Sequence, residues 1–229
     1  MRDKSASRYD FNGAAERYDQ WYETVRGAVY DRLEKKAIRR LLPHGGGTKK
    51  LLEIGCGTGH WSAFFSANGY HVVGVDVSED MLMKARQKGL QNCRYEVADA
   101  HDLPFETGRY DVVGAITTLE FVRQPGRVIA EMVRCARIRT GQLLLGVLNS
   151  LSSVNQERRQ RKDSPYVSAH FFSPEELMGL LAPYGRVDML VSGFVPAYRS
   201  LWPYAGLCDF VGRVLKRRNG AFIAARVRL

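Results

Sequence analysis

Residues 51–59 read Leu51-Leu52-Glu53-Ile54-Gly55-Cys56-Gly57-Thr58-Gly59, and they decide the fold. A short apolar run closed by an acid gives way to glycine at every second position. The run reads as a buried strand. The glycines let the backbone turn tightly and approach a ligand where a Cβ would collide. The helical pattern that follows, residues 60–68, opens with unpaired N–H groups at the loop. A dinucleotide loop needs a third glycine at the sixth position, which here is His60, and a phosphate loop would end in Gly-Lys-Ser/Thr. Neither pattern is present. An acid ahead of the glycines suits a ligand with an ammonium or sulfonium better than a pyrophosphate.

Outward from the loop, apolar runs at 51–54, 72–75, 93–97, 110–116 and 142–148 alternate with helical patterns at 60–68, 79–88 and 125–136. This alternation predicts βαβ units and a mostly parallel sheet covered on both faces. Ser78 is placed to cap a helix, and Asn68-Gly69 and Gly89 fall where helix ends need a left-handed residue. Asp76 closes the second strand, where a carboxylate can accept from both hydroxyls of a ribose. Asp99 closes the third, where it can accept from an adenine amine. Three strand ends thus each carry an acid, and the ligand implied is an adenosine with a positive appendage.

Before the loop, residues 1–12 are expected to fray. Two amphipathic helices follow, the second marked by Val29, Leu33, Ala37, Ile38 and Leu41 and closed by Pro43 and Gly45-Gly46-Gly47. After the last parallel strand, residues 149–170 are polar and basic, with Glu157, Arg158, Arg159, Arg161 and Lys162 in a row, and read as a surface segment or lid. Ser173-Pro174-Glu175-Glu176 is a helix start. Strands at about 186–192 and 221–228 bracket Phe194, Tyr198, Trp202, Tyr204 and Phe210, which suit an apolar or planar acceptor or serve as core.

The 229 residues carry a net charge of +10, from 34 Lys and Arg against 24 Asp and Glu, and 45% are hydrophobic. Disorder and coiled coil are excluded by this balance. The basic excess admits nucleic acid, a membrane surface or an acidic metabolite as partner. Cys56, Cys93, Cys135 and Cys208 are scattered, and His60 and His71 lack a ligand spacing, so neither a disulfide framework nor a metal site is expected. The charged N-terminus is no signal peptide and no run is long enough to span a bilayer, which fits a cytoplasmic protein.

The stretches LLEIGCGTG, VVGVDVS, ADAHDLPF and YDVVGAITTLEF, over about residues 50–148, resemble the successive motifs of class I S-adenosylmethionine-dependent methyltransferases. They are most similar to the type 11 group that includes the quinone-biosynthesis C-methyltransferases. The resemblance implies a Rossmann-like α/β fold: a seven-stranded, mostly parallel sheet with an antiparallel last strand. It implies one domain over 1–229, with an N-terminal helical lid in 1–48, a cofactor-binding half in 49–148 and a substrate-side half in 149–229. S-Adenosylmethionine would be the cofactor and S-adenosylhomocysteine the product. Glu53, Gly55 and Gly57 would meet the methionine portion, Asp76 the ribose, Asp99 and Ala100 the adenine, and Thr117 would lie near the sulfonium. Tyr18 and Trp21, in the stretch YDQWY, would cover the cofactor, and Cys56, Gly59, Val77, Ser78, Met81 and His101 complete the set.

Methyl transfer is an in-line displacement with an activated leaving group, so the protein chiefly aligns the reactants and excludes water. Where the acceptor must lose a proton, Glu120 and His170 are the candidate bases. The expected acceptor is a small molecule: a quinone, a lipid or another metabolite. An RNA methyltransferase using the basic segment 157–162, and a non-catalytic protein binding an adenosyl ligand, are the alternatives. The Asn/Asp-Pro-Pro-aromatic motif of amino-methylating nucleic-acid enzymes is absent, Thr117-Thr118-Leu119-Glu120 standing in its place.

Overall fold

Leu51 and Leu52, neighbours on one strand, bury their side chains on opposite sides of a sheet, because successive strand residues alternate faces. Leu51 packs with Trp61, Phe64 and Phe65 and with Ala37, Ile38 and Leu41. Leu52 packs with Val128, Ile129, Met132, Leu177 and Leu181. A strand buried on both faces needs a continuous apolar run, and Val112–Ile116 is one, with every residue buried. This arrangement comes from a computed structural model, which describes residues 7–11, 13–43, 49–161 and 164–229. Gly45-Gly46-Gly47, Lys162 and the first six residues, each given a part above, lie outside the described residues.

The strands are β1 Lys49–Ile54, β2 Tyr70–Asp76, β3 Cys93–Val97, β4 Val112–Ile116, β5 Gln142–Leu148, β6 Arg186–Ser192 and β7 Phe222–Arg228. They form one seven-stranded sheet in the order β3-β2-β1-β4-β5-β7-β6. β1 to β5 pair in parallel, and β7 runs antiparallel to both of its neighbours, β5 and β6. The helices are α1 Ala15–Tyr18, α2 Gln20–Glu23, α3 Val25–Leu41, α4 His60–Ala67, α5 Glu79–Gln87, α6 Pro125–Cys135, α7 Ser153–Gln160, α8 Pro174–Leu181 and α9 Ala205–Val214. The direction of strand succession reverses between β1 and β4, and such a switch point leaves a crevice at the strands' carboxyl ends.

Local signals hold at several helix ends. The Ser78 hydroxyl accepts from the Met81 N–H at 3.3 Å, Ser173 and Glu176 form a capping box, and Gly69 and Gly89 take φ of +86° and +62°. Asn68 stays at negative φ. Two expectations change. Residues 7–11 are not frayed: Ser7 bridges to Val122, the Arg8 N–H donates to the Phe121 carbonyl at 2.6 Å, and the Phe11 and Phe121 rings meet edge-on at 5.0 Å. The stretch 1–48 is not all lid either. In α3, Ala37, Ile38 and Leu41 are buried against the sheet and Leu33 beside Ala205, so among the described residues of this stretch the cover comprises 7–11 and 13–24.

Candidate active site

The loop after β1 is held by Asp76. Its Oδ2 accepts from the Gly57 N–H and its Oδ1 from the Ser78 N–H, both at 2.9 Å. Burial pushes its carboxyl up from the ordinary value, and these N–H groups pull it back down. Gly55 stands at φ +65°, where a Cβ would run into the Thr118 side chain; the Thr118 hydroxyl lies 3.1 Å from the Ile54 carbonyl that accepts from it. Gly57, at φ +53°, is different: a Cβ there would meet no protein atom within 4 Å. Gly57 borders a hollow at the switch point. Gly55, Gly57, Asp76, Val77, Met81, Asp99, Ala100, His101 and Thr117 line that hollow, and Ser7, Phe11 and Tyr18 close it from the N-terminal side. Asp99 Oδ1 accepts from the His101 N–H at 2.8 Å and contacts the ring Nδ1 at 2.7 Å.

Other expected residues are not brought to this hollow. Glu53 is 2% exposed and accepts from the Ser62 hydroxyl at 2.5 Å beneath the loop; burial pushes its carboxyl up to about 8. Cys56 is tucked against Gly74, where a Cβ would lie 2.9 Å from its sulfur. Gly59, at φ +77°, makes room for the Tyr95 hydroxyl, 2.8 Å from where its Cβ would stand. Ser78 is a buried helix cap.

The two candidate bases also face elsewhere. Glu120 is 0% exposed, its Oε1 accepts from the Leu148 N–H at 2.6 Å, and it ties the turn 119–121 to β5 rather than facing a hollow. His170 pairs with Glu176 at 2.5 Å at the start of α8.

Trp21 faces a second hollow, of about 290 Å³, that shares Thr117, Tyr18 and Phe11 with the first. Its walls include Tyr9, Tyr22 and Tyr166, with Arg17, Arg158 and Glu34 as the charged groups. Arg158, which could have been taken as one of a solvated row, sits over the rings of Trp21 at 4.9 Å, Tyr30 at 5.5 Å and Tyr166 at 5.6 Å. Arg159 and Arg161 remain exposed. Burial pushes the Glu34 carboxyl up to about 7, against the pull of Arg158 and Lys35 and with the push of Asp31. Thr117 holds φ +50° at the end of β4, an uncommon conformation for a β-branched residue, at the wall common to both hollows. Nothing in the sequence marks Phe11, Tyr166 or Glu34 beyond ordinary amphipathic spacing, because each reaches the site only through tertiary packing.

Among the described residues there is no cluster of three or more His, Cys, Asp or Glu able to hold a metal. A family described as a methyltransferase domain matches residues 51–138. A malonyl-[acyl-carrier protein] O-methyltransferase of Hamiltonella defensa is 30% identical over 185 residues, 79% of this chain and 67% of that protein. A demethylmenaquinone methyltransferase of Clavibacter sepedonicus is 33% identical over 126 residues, 54% of this chain and 51% of that one. Among solved structures, a SAM-dependent methyltransferase of Thermotoga maritima aligns with a TM-score of 0.74 at 25% identity, over 95% of this chain and 97% of its own.

Proposed function

This chain belongs to the S-adenosylmethionine-dependent methyltransferases, and from that premise we propose that it methylates a small, flat, largely apolar acceptor bearing an acidic group, seated in the hollow that Arg158 lines. S-Adenosylmethionine supplies a methyl group already activated on a sulfonium. Residues of the first hollow suit it: Gly57 leaves open the space that a Cβ would fill, and the Asp76 carboxylate borders that space. Asp76 receives the ribose hydroxyls, and Asp99 the adenine amine through the oxygen that His101 does not take.

The observation that carries the acceptor reading is the shared wall. Thr117, Tyr18 and Phe11 border both hollows, so a molecule in the second lies next to the ligand of the first. Aromatic walls favour a planar, apolar body. Arg158, lying over three rings and donating to the Asn155 side-chain oxygen at 3.1 Å, offers its remaining N–H groups to an anion. Glu34 is the carboxyl in this hollow, and it takes the acceptor's proton where one must leave. The cover formed by residues 7–24 excludes water during transfer.

The test uses calorimetry and labelled methyl donor. S-Adenosylmethionine and S-adenosylhomocysteine should bind, and NAD should not. With fractionated cell extract, label should enter small acidic organic molecules. Arg158→Ala should leave S-adenosylhomocysteine affinity unchanged and lower transfer about 10- to 100-fold, the loss expected when a hydrogen-bonded charge partner is removed. Label entering RNA, or an unchanged rate in the variant, would refute this assignment of the acceptor.

A further inference from the structure

α9 is built inside out. The residues it turns to the body of the protein are Ala205, Asp209 and Gly212. The residues it turns to solvent are Leu207, Phe210, Val211 and Val214, at 61, 52, 42 and 62% exposure. An ordinary surface helix does the reverse, burying its apolar stripe. The orientation is fixed from within. Asp209 accepts from the Ser192 hydroxyl and the Gly193 N–H, both at 2.8 Å, and pairs with Arg213 at 3.0 Å. Gly212 admits the Phe194 ring, which would lie 2.5 Å from a Cβ at that position. Turning the helix to bury Leu207 and Val214 would take a buried acid away from Ser192 and Gly193. The apolar face is therefore outward by construction, and Tyr204 and Leu215, at 61 and 58% exposure, extend it at both ends.

The charge along the helix and its flanking residues is mostly of one sign, with Glu175 of α8 reaching only Arg218. Over residues 199–220 Asp209 is the sole acid, and it is buried and paired. Lys216 and Arg217 follow the helix directly, exposed and without an ion-pair partner among the described residues. Arg199 precedes it, its guanidinium over the Trp202 ring at 6.0 Å.

We propose that α9 docks this protein on an anionic phospholipid surface. Leu207, Phe210, Val211 and Val214 enter the boundary between headgroups and acyl chains, and Lys216 and Arg217 meet the anionic headgroups. Large apolar residues on one face with basic residues beside them are what an in-plane interfacial helix needs. No described helix is long and apolar enough to cross the bilayer, so the contact is with one leaflet. A second copy of this chain fits less well, because a symmetric pairing of this face would bring the same unpaired cations together. The proposal goes beyond the acceptor reading and stands without it.

The experiment is sedimentation of the full chain with phosphatidylcholine vesicles, with and without phosphatidylglycerol. The protein should pellet with the anionic vesicles, and less so as salt rises to about 0.5 M. Leu207→Ser with Phe210→Ser should lower the partition coefficient by at least about tenfold. Lys216→Ala with Arg217→Ala should lower it by about tenfold on anionic vesicles and little on neutral ones. Melting temperature and S-adenosylhomocysteine affinity, which report the fold and a hollow that α9 does not line, should hold in both variants. Three results would overturn the proposal. The wild type could fail to pellet with anionic vesicles. The Ser variant could pellet as well as wild type, which would assign binding to net charge alone. Light scattering could show a wild-type dimer that the Ser variant dissolves, which would give the face to a second copy.

Discussion

Gly55 and Gly57 are alike on paper, and their surroundings separate them. Both hold positive φ, +65° and +53°, which a side chain tolerates only at a cost of about 1–2 kcal/mol. At Gly55 a Cβ strikes the Thr118 side chain, and at Gly57, which borders the hollow, it meets no protein atom within 4 Å. Gly55→Ala should therefore be the greater loss to stability. Gly57→Ala should lower the melting temperature by only a few degrees, yet weaken S-adenosylhomocysteine at least about tenfold, because the methyl group occupies ligand space. Calorimetry and thermal melts on the pair check this, and equal affinity losses per degree of melting would remove Gly57 from the site. Asp76 and Asp99 separate in the same way. Asp76 holds the Gly57 and Ser78 N–H groups and borders the hollow, whereas Asp99 shares one oxygen with His101. Asp76→Ala should cost S-adenosylhomocysteine about a hundredfold in affinity and Asp99→Ala less. A 2′-deoxy analogue should lose little further on Asp76→Ala, its partner being already gone; fully additive losses would show that Asp76 does not meet the ribose.

Residues 7–11 of the cover are held to Phe121 and Val122, and residues 13–19 to α5 and Lys88 by partly exposed polar contacts. Glu16 meets Lys84 at 2.6 Å, Asp19 meets Lys88 at 2.8 Å, and the Gly13 N–H donates to Asp80 at 3.1 Å. Surface pairs of this kind contribute roughly 0–1 kcal/mol each, so residues 13–19 are the weakly held part of the cover. One tie is better sheltered: the hydroxyl of Thr58, buried in the glycine loop, donates to Asp19 at 2.6 Å. Loop and cover are coupled through it. Deleting residues 1–23 keeps Thr24, whose side chain caps α3 by accepting from the Gly27 N–H at 2.9 Å. The shortened chain should melt cooperatively, bind S-adenosylhomocysteine about tenfold more weakly, and transfer methyl more slowly still. Loss of the cooperative transition would make the cover part of the core. This element also marks the boundary of what the sequence discloses. The strands, the glycine loop and the caps at Ser78 and Ser173 rest on neighbours within a few positions, and they are legible in the sequence. Phe11 covers the site only because it meets Phe121, far away in the chain. Glu120 follows the fourth strand and His170 closes the basic segment 149–170, but side-chain direction at such places is set by packing, which takes one to Leu148 and the other to Glu176. The aromatics of 194–210 divide likewise: Phe194 packs against α9, while Tyr198, Tyr204 and Phe210 face outward.

At the scale of the whole molecule, three buried carboxyls set one pH dependence. Burial pushes Glu34 up to about 7 and Glu53 and Glu120 up to about 8. Each is protonated in the folded state at a pH where the unfolded chain has already released its proton. The stability they confer is therefore fully present below the ordinary carboxylate value, and it is lost as pH rises through 7 and 8. Asp188 has the opposite sign: Arg228 and Arg226 hold it down at about 2, so its contribution is lost only in acid, outside this window. Melting temperature should accordingly fall between about pH 5.5 and pH 8.5. Glu120→Gln isolates one share of that slope. The amide oxygen can still accept from the Leu148 N–H, and the shape is conserved, but no charge forms. At or below about pH 4, where the carboxyl is neutral in the folded and the unfolded chain alike, the variant should melt within a degree or two of wild type. At about pH 8.5 it should melt several degrees higher, since about 1 kcal/mol moves a chain of this size by roughly 2–4 °C. Thermal melts across that range decide the matter: parallel curves for the two proteins, or a wild type that gains stability with rising pH, would mean that Glu120 is ionised in the fold and that its unpaired oxygen has found a cation or water.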